Sequence, residues 1–348
     1  MNIRKLDNDN LKLCADFLAV AKGANINSPS VSQEYLKWKY LSQEADENIC
    51  LFLEQDGEIC SIVGGIVWKY IVNGKELQVC FPVDWYSSTK SPVKGAGRRI
   101  LKALMDQFPV SVAVGGTKIC FEPQILVGFR DIGEVFLLGI EANKIFGLRD
   151  LARKTRNFIL NPTSYFKGLR VADKFSSKNK VIFKNEEFSV DGLLDFKGWQ
   201  FFSQNIERSF LIRRWKHYML QPYNHAKLVS VRLRGRLSYL FISEFNDARK
   251  GYIALADALC DVTHSKEDIL AAFVVYAKFR SSKRALFMTS DKNIFSTAFS
   301  LGYRICDRLR TQYYSLPDAP FCSDMRKCPD VFFLSGDELM YRRPGKQC

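Results

Sequence analysis

The stretch Cys80–Met105, CFPVDWYSSTKSPVKGAGRRILKALM, changes character twice within a short span. Cys80, Phe81, Val83 and Trp85 read as a buried strand, Ser87 to Pro92 is turn material, and Gly95-Ala96-Gly97 opens a run with helical spacing. Two glycines at a helix start let a ligand approach the backbone closely and leave the first-turn N–H groups without partners at the positive end of the dipole. Such a start binds phosphate. An ordinary strand-to-helix turn accounts for a lone Gly-x-Gly as well, so the flanking chain has to separate the two.

Upstream, Ile3 to Leu6 reads as a strand and Asn8 to Ala21 as a helix with Leu11, Leu13, Phe17 and Leu18 inward. Gly23 to Ser30 is loop, and Ser30 or Ser32 caps a helix whose stripe is Tyr35, Leu36, Trp38 and Tyr40. Cys50–Glu54, Cys60–Tyr70 and Leu77–Tyr86 are separated by Asp56-Gly57 and Asn73-Gly74, strong hairpin signals. An antiparallel meander therefore runs straight into the glycine loop. Downstream come a helix at Arg98–Gln107, a short strand at Val110–Val114 ending in Gly115-Gly116, a short helix around Pro123–Val127, and a strand region at Gly133–Ile140.

Composition bounds the answer. At 348 residues the chain is comfortable for two domains, and 47% hydrophobic with 13% aromatic content excludes disorder. The formal net charge of +14 calls for an anionic partner without choosing among nucleic acid, anionic lipid, acidic glycan and polyphosphate. The 10 cysteines include no Cys-x-x-Cys pair, and the three histidines (217, 225, 264) have no ligand spacing. They read as reduced core thiols and surface imidazoles, with no metal site. No stretch approaches the length of a membrane span and the N-terminus lacks a signal-peptide apolar core, so a soluble, cytoplasmic protein is expected.

The chain repeats itself. Glu34–Lys39 and Ser209–Arg214 share a helical aromatic-leucine-basic pattern 175 residues apart. Val83-Asp84 and Cys260-Asp261 lie 177 apart, and Gly128-Phe129-Arg130 and Gly302-Tyr303-Arg304 lie 174 apart. One order and nearly one offset imply two copies of one domain. Leu151–Arg170 is basic, carries an Asn-Pro break, and suits a helical linker. Where the first copy has the glycine loop, the second has Ser265-Lys266-Glu267-Asp268, a helix N-cap whose acids would repel phosphate.

Strand, glycine loop, helix, short strand, short helix and a Gly-aromatic pair together resemble the GCN5-related N-acetyltransferase (GNAT) superfamily, whose acetyl-CoA site reads Gln/Arg-x-x-Gly-x-Gly/Ala. Pro92-Val93-Lys94-Gly95-Ala96-Gly97 matches it, with Pro92 where the family has Gln or Arg and with Lys94, Arg98 and Arg99 as nearby cations. A tandem pair with one intact loop is also similar to peptidoglycan aminoacyl-transferase relatives and to acyltransferases found with surface-polysaccharide enzymes.

The resemblance implies an α/β fold, an α+β three-layer sandwich in two tandem GNAT-like domains, each a central mixed, mostly antiparallel sheet flanked by helices. Residues 1–150 would form the acyl-CoA-binding domain, 151–172 a basic linker, and 173–348 a degenerate copy. The pantetheine arm would lie where the strand ending at Asp84-Trp85-Tyr86 splays from Val110–Val114. Trp85, Tyr86, Val93, Lys94, Gly95, Ala96, Gly97 and Arg98 are then the cofactor-binding residues. Acyl transfer to an amine needs a base, donors for the oxyanion and an acid for the thiolate. Asp84 is the first candidate for base, although a loop-bonding role suits its position equally. Tyr86 is a candidate acid or orienting hydroxyl, against a packing role, and Glu122 is a further candidate base.

Lys37, Lys39, Arg213 and Arg214 read as a solvated helix face, and Arg232–Arg236 as a hairpin strand with a basic face. The leading function is an acyl-CoA-dependent N-acyltransferase, taking acetyl-CoA or another acyl-CoA. Its acceptor would be an amine-bearing small molecule, sugar or peptide, with an amino sugar or surface-polysaccharide precursor in view, and without nucleic acid or a membrane span. An aminoacyl-tRNA-dependent, peptidoglycan-type transferase and a non-catalytic tandem binding module are the alternatives.

Overall fold

The computed structural model describes residues 1–24, 31–43, 47–72, 74–116, 118–142, 170, 173–177, 179–185, 190–222, 226–245, 251–282 and 284–316. Apart from Arg170, the expected linker over 151–172 lies outside them, as do His225, Cys322, Cys328 and Cys348. The chain forms two compact units, the first from described residues within 1–134, 205–224 and 309–332, the second from those within 135–204 and 225–308.

The first unit opens with β1 (Asn2–Lys5), α1 (Leu11–Ala21) and α2 (Gln33–Leu41), followed by the meander β2 (Ile49–Gln55), β3 (Glu58–Val72) and β4 (Lys75–Ser87). The Asp56-Gly57 turn has positive φ at both residues, 53° and 82°, the geometry a tight hairpin demands. Then come α3 (Ala96–Met105), β5 (Val110–Val114) and α4 (Lys118–Leu126). Ile49, Leu51 and Leu53 of β2 pack with Ile100, Leu101, Leu104 and Met105 of α3. Strand alternation turns Cys50 to the opposite face, beside Cys14 of α1 and Lys39 of α2, so helices cover both sides of the sheet. In α1 the buried stripe is Leu11, Cys14, Ala15 and Leu18, and Leu13 is exposed because it falls off that stripe.

The second unit holds β7 (Ile182–Asn185), β8 (Gly198–Gln200), β9 (Ala226–Leu233), β10 (Arg236–Phe245), β11 (Tyr252–Asp261), α6 (Lys266–Phe279), β12 (Arg284–Thr289) and α7 (Lys292–Leu301). Its sheet is antiparallel except between β11 and β12, as the first is except between β4 and β5.

The last strand of each half is exchanged. Phe136–Glu141 of β6 (Arg130–Glu141) pair antiparallel with Arg284–Thr289 of β12, and Thr311–Ser315 of β13 (Arg304–Ser315) pair with Val110–Val114 of β5. The strands of each unit thus include one from the other half of the sequence. The compact units are therefore not contiguous stretches of chain, and the repeat alone carries no signal for this.

Helix α5 (Arg208–Met219), the repeat counterpart of α2, also belongs to the first unit. His217 and His264, read from sequence as surface residues, are both buried. The His217 ring stacks on Trp38 at 4.6 Å and an interplanar angle of 5°, and Trp38 Nε1 donates to the His217 carbonyl at 2.8 Å. His264 bonds Ser238 through Nδ1 at 2.8 Å and lies 3.2 Å from the Leu233 carbonyl through Nε2. Among the described residues no helix is long and apolar enough to cross a membrane.

Burial, with the Arg214 and Lys39 charges, pushes the His217 imidazole well below its ordinary value. Its folded-state pKa is therefore depressed, and its contribution to stability is full above about pH 6.5 and is lost as pH falls below that value. The melting temperature of the wild type should drop more steeply from pH 7 to pH 5 than that of His217→Gln; parallel curves would contradict this environment.

Candidate active site

β4 and β5 pair in parallel only at Val79↔Val110 and Cys80↔Ser111. Beyond Cys80, β4 continues along β3 while Val112–Val114 pair with β13, so a notch opens between the two parallel strands. β4 bulges beside it: the register with β3 jumps from Gly64↔Val83 to Ile62↔Tyr86, and Asp84 takes the left-handed conformation at φ 48°. The splay expected at Asp84-Trp85-Tyr86 is present in the register.

Helix α3 starts at the mouth of this notch. Gly95 is its N-cap in the left-handed region, φ 71°, with no side chain to satisfy the first turn. Ala96 N–H donates to the Val93 carbonyl at 3.2 Å and Arg99 N–H to that of Gly95 at 3.0 Å. The N–H groups of Gly97 and Arg98 donate to nothing among the described residues, which leaves two aligned donors at the positive end of a helix. Trp85 Nε1 donates to the Gly97 carbonyl at 2.9 Å, and a Cβ at Gly97 would meet Ser87 Oγ at 2.6 Å. The second glycine is therefore required by close packing of helix on strand. Val93 and Ala96 turn their side chains into the core and their N–H groups are already paired, with Ser91 Oγ at 3.1 Å and with the Val93 carbonyl, whereas Lys94 and Arg98 are exposed.

At the bulge, Asp84 is the hub of a buried ion cluster. Its Oδ1 accepts from Lys22 Nζ at 2.7 Å, and its Oδ2 accepts from Lys39 Nζ at 2.6 Å and from the Tyr40 hydroxyl at 2.9 Å. The Lys22, Lys39 and Asp84 side chains are only 4%, 2% and 13% exposed. A Cβ at Gly64 would lie 1.9 Å from the Tyr40 hydroxyl oxygen, so only glycine in β3 lets Tyr40 reach the carboxylate. Burial alone would raise the Asp84 carboxyl, but the two ammonium groups outweigh it and hold the group far below the usual carboxylate range. Burial pulls Lys39 down against the attraction of Asp84, and pushes Tyr40 up together with it.

A carboxylate held this firmly is a weak proton acceptor, and the environment argues against Asp84 as general base. Tyr86 lies with its ring 5.2 Å from Lys22 Nζ, while its carbonyl accepts from Ser61 Oγ at 2.7 Å. Glu122 is exposed on α4 and shares no hydrogen bond or ion pair with Asp84 or Tyr86. Lys37 is solvated as expected, but Lys39 and Arg214 are buried, because both sit on the inward stripes of their helices.

In the second unit the corresponding notch is filled by its own chain. β11 and β12 pair from Tyr252↔Arg284 to Leu255↔Phe287, and next to them β8 pairs with Leu259–Asp261 of β11. Phe201 N–H donates to the Ala258 carbonyl at 3.0 Å and its ring is buried; Phe202 stacks on Phe287 at 5.8 Å. Gly198 makes this approach possible, since a Cβ there would lie 2.2 Å from the Cys260 carbonyl oxygen. The registers align Asp257, rather than Asp261, with Asp84. Asp257 accepts from the N–H groups of Phe202 and Ala258 and bonds the Ser203 hydroxyl, and burial still pushes its carboxyl up to about 6. Ser265 and Asp268 form a capping box at the start of α6, which leaves that helix end satisfied.

No family model matches the chain, and no curated protein matches it. Solved structures do. A probable N-acyltransferase from Enterococcus faecalis V583 is 10% identical over 90% of this chain and 72% of that one, with a TM-score of 0.55. A tandem GNAT protein from the clavulanic acid biosynthesis pathway is 9% identical over 90% and 98%, at a TM-score of 0.52. A GCN5-related glucosamine N-acetyltransferase region of a fungal multi-domain β-N-acetylglucosaminidase is 13% identical over 90% of this chain and 38% of that one, at 0.54.

Removing one partner of a buried ion cluster strands the others, at a cost of about 3–5 kcal/mol. Asp84→Ala should lose stability on that scale in urea unfolding and Tyr40→Phe about 1 kcal/mol. An Asp84→Ala midpoint equal to that of the wild type would contradict the cluster.

Proposed function

We propose that this chain, whose fold is that of the tandem GCN5-related N-acetyltransferases, is an acyl-CoA-dependent N-acyltransferase with one acyl-CoA site, in its first unit. The observation that supports this most is the coincidence of the β4–β5 notch with the unsatisfied Gly97 and Arg98 N–H groups at the start of α3. Those donors fit a pyrophosphate, with Lys94 and Arg98 as exposed cations beside it and Pro92 contributing none. Phe81 to Tyr86 of β4 would line the pantetheine arm, whose flat chain of amides suits a strand edge. Acyl-CoA supplies an acyl group activated as a thioester.

Transfer to an amine forms an amide bond, breaks the thioester C–S bond, and releases CoA as its thiolate together with the proton of the amine. Asp84 is too firmly paired to take that proton near neutral pH, so the acceptor enters as the free amine and its proton leaves to water. The carboxylate instead orients the Lys22 and Lys39 ammonium groups at the bulge, and Lys22 in turn lies over Tyr86. An amino sugar is the acceptor class we favour, by analogy with the fungal glucosamine N-acetyltransferase region that shares the fold.

Isothermal titration of the full chain with acetyl-CoA should give one site per chain, abolished by Gly95→Glu and by Gly97→Glu. Release of thiol should then follow addition of glucosamine. No binding, or binding that survives both substitutions, would overturn the reading.

A further inference from the structure

Arg214 is carried by the second half of the sequence, yet its side chain is fully buried in the first unit. Its guanidinium lies 5.4 Å from the Trp68 ring and 5.3 Å from the Phe210 ring, and one nitrogen donates both to the Val67 carbonyl and to Asn48 Oδ1, the latter at 2.9 Å. Glu47 Oε2 is 3.9 Å away. Asn48 is itself buried and fully directed: Oδ1 also accepts from Val67 N–H at 3.1 Å, and Nδ2 donates to the Lys39 carbonyl at 2.9 Å. That carbonyl belongs to the last turn of α2, where no intrahelical donor remains for it. The side chains of Lys39 and Tyr40 leave the same turn to grip Asp84.

The chain of contacts is continuous and buried. An arginine suits its origin, because the charge is permanent and one guanidinium nitrogen presents two donors in a fixed plane, to the Val67 carbonyl and to Asn48 Oδ1, so the Asn48 amide is held in one orientation. Turned the other way, Asn48 would set its NH₂ against the Arg214 and Val67 donors and lose its bond to the Lys39 carbonyl.

We propose that Arg214 is a positioning residue for the reaction of the first unit: acting through Asn48, it fixes the last turn of α2 and thereby the hold of Lys39 and Tyr40 on Asp84 at the β4 bulge. The second copy then has a use beyond lending a strand. Its α5 belongs to the first unit and, through Arg214 and Asn48, holds the end of α2 in place. This rests on the acyltransferase reading for its kinetic consequences and on the contacts alone for its energetic ones.

The test uses the full chain with acetyl-CoA and glucosamine. In Arg214→Met, the acetyl-CoA Kd should stay within about twofold of wild type, because the α3 loop is untouched, while kcat falls tenfold or more. Asn48→Ala should reproduce that split and also serves if Arg214→Met does not fold. The double variant should lose no more than the worse single one, and Arg214→Lys should recover part of kcat. A kcat within twofold of wild type, losses that multiply in the double variant, or equal loss of acetyl-CoA binding would each overturn the proposal. Urea unfolding supplies an arm that needs no activity. Arg214→Met and Asp84→Asn should couple, the double variant losing clearly less than the two losses combined, and simple additivity would sink the positioning role even where the enzyme reading had already failed.

Discussion

A carboxylate cannot be buried alone, and the first unit is arranged around that constraint. Asp84 sits at a left-handed bulge in β4, where strand pairing with β5 has already ended and cannot supply order. What fixes the bulge is the convergence of Lys22 from the end of α1 and of Lys39 and Tyr40 from the last turn of α2. Three segments distant in sequence are therefore tied to one point beside the notch. Gly64 clears space for the Tyr40 hydroxyl, and Asn48 and Arg214 secure the helix from behind. In a low-dielectric setting such contacts are strong when complete and costly when broken, which gives the site a single arrangement.

The tandem repeat supports this site by exchange. β13 pairs beside β5, and β6 beside β12, so each half of the sequence lends a strand to the other. The two notches meet opposite fates. In the first, a polyphosphate-compatible helix start is left unsatisfied; in the second, Gly198 to Ser203 occupy the edge of β11 and a capping box satisfies α6. The Phe201 and Phe202 rings fill that groove by burying large apolar area.

Much of this was legible in the residues. Hairpin glycines, helical stripes and the glycine loop mark the meander and the turn from β4 into α3, because each reports a local backbone requirement. The repeat offset was legible too, although pairing Asp84 with Asp261 missed by four residues, since apolar-then-acid is too weak a pattern to fix register. The exchanged strands were not legible, because partner choice between β5 and β12 is a property of the assembled sheet. Lys39 carried a usable signal that a charge-counting reading passes over: it continues the inward stripe of Tyr35, Leu36 and Tyr40, and a lysine on such a stripe needs a buried acid. Arg214 carries the same signal on α5, while Lys22, at a helix end, carries none.

The sharpest claim is that one helix start out of two binds the cofactor. Amide hydrogen exchange of the full chain, with and without acetyl-CoA, reads both at once. The predicted result is slowed exchange at Lys94–Arg99 and along Phe81–Tyr86, with no change at Thr263–Asp268 or along β11. Protection at the second set, or at neither, would contradict it.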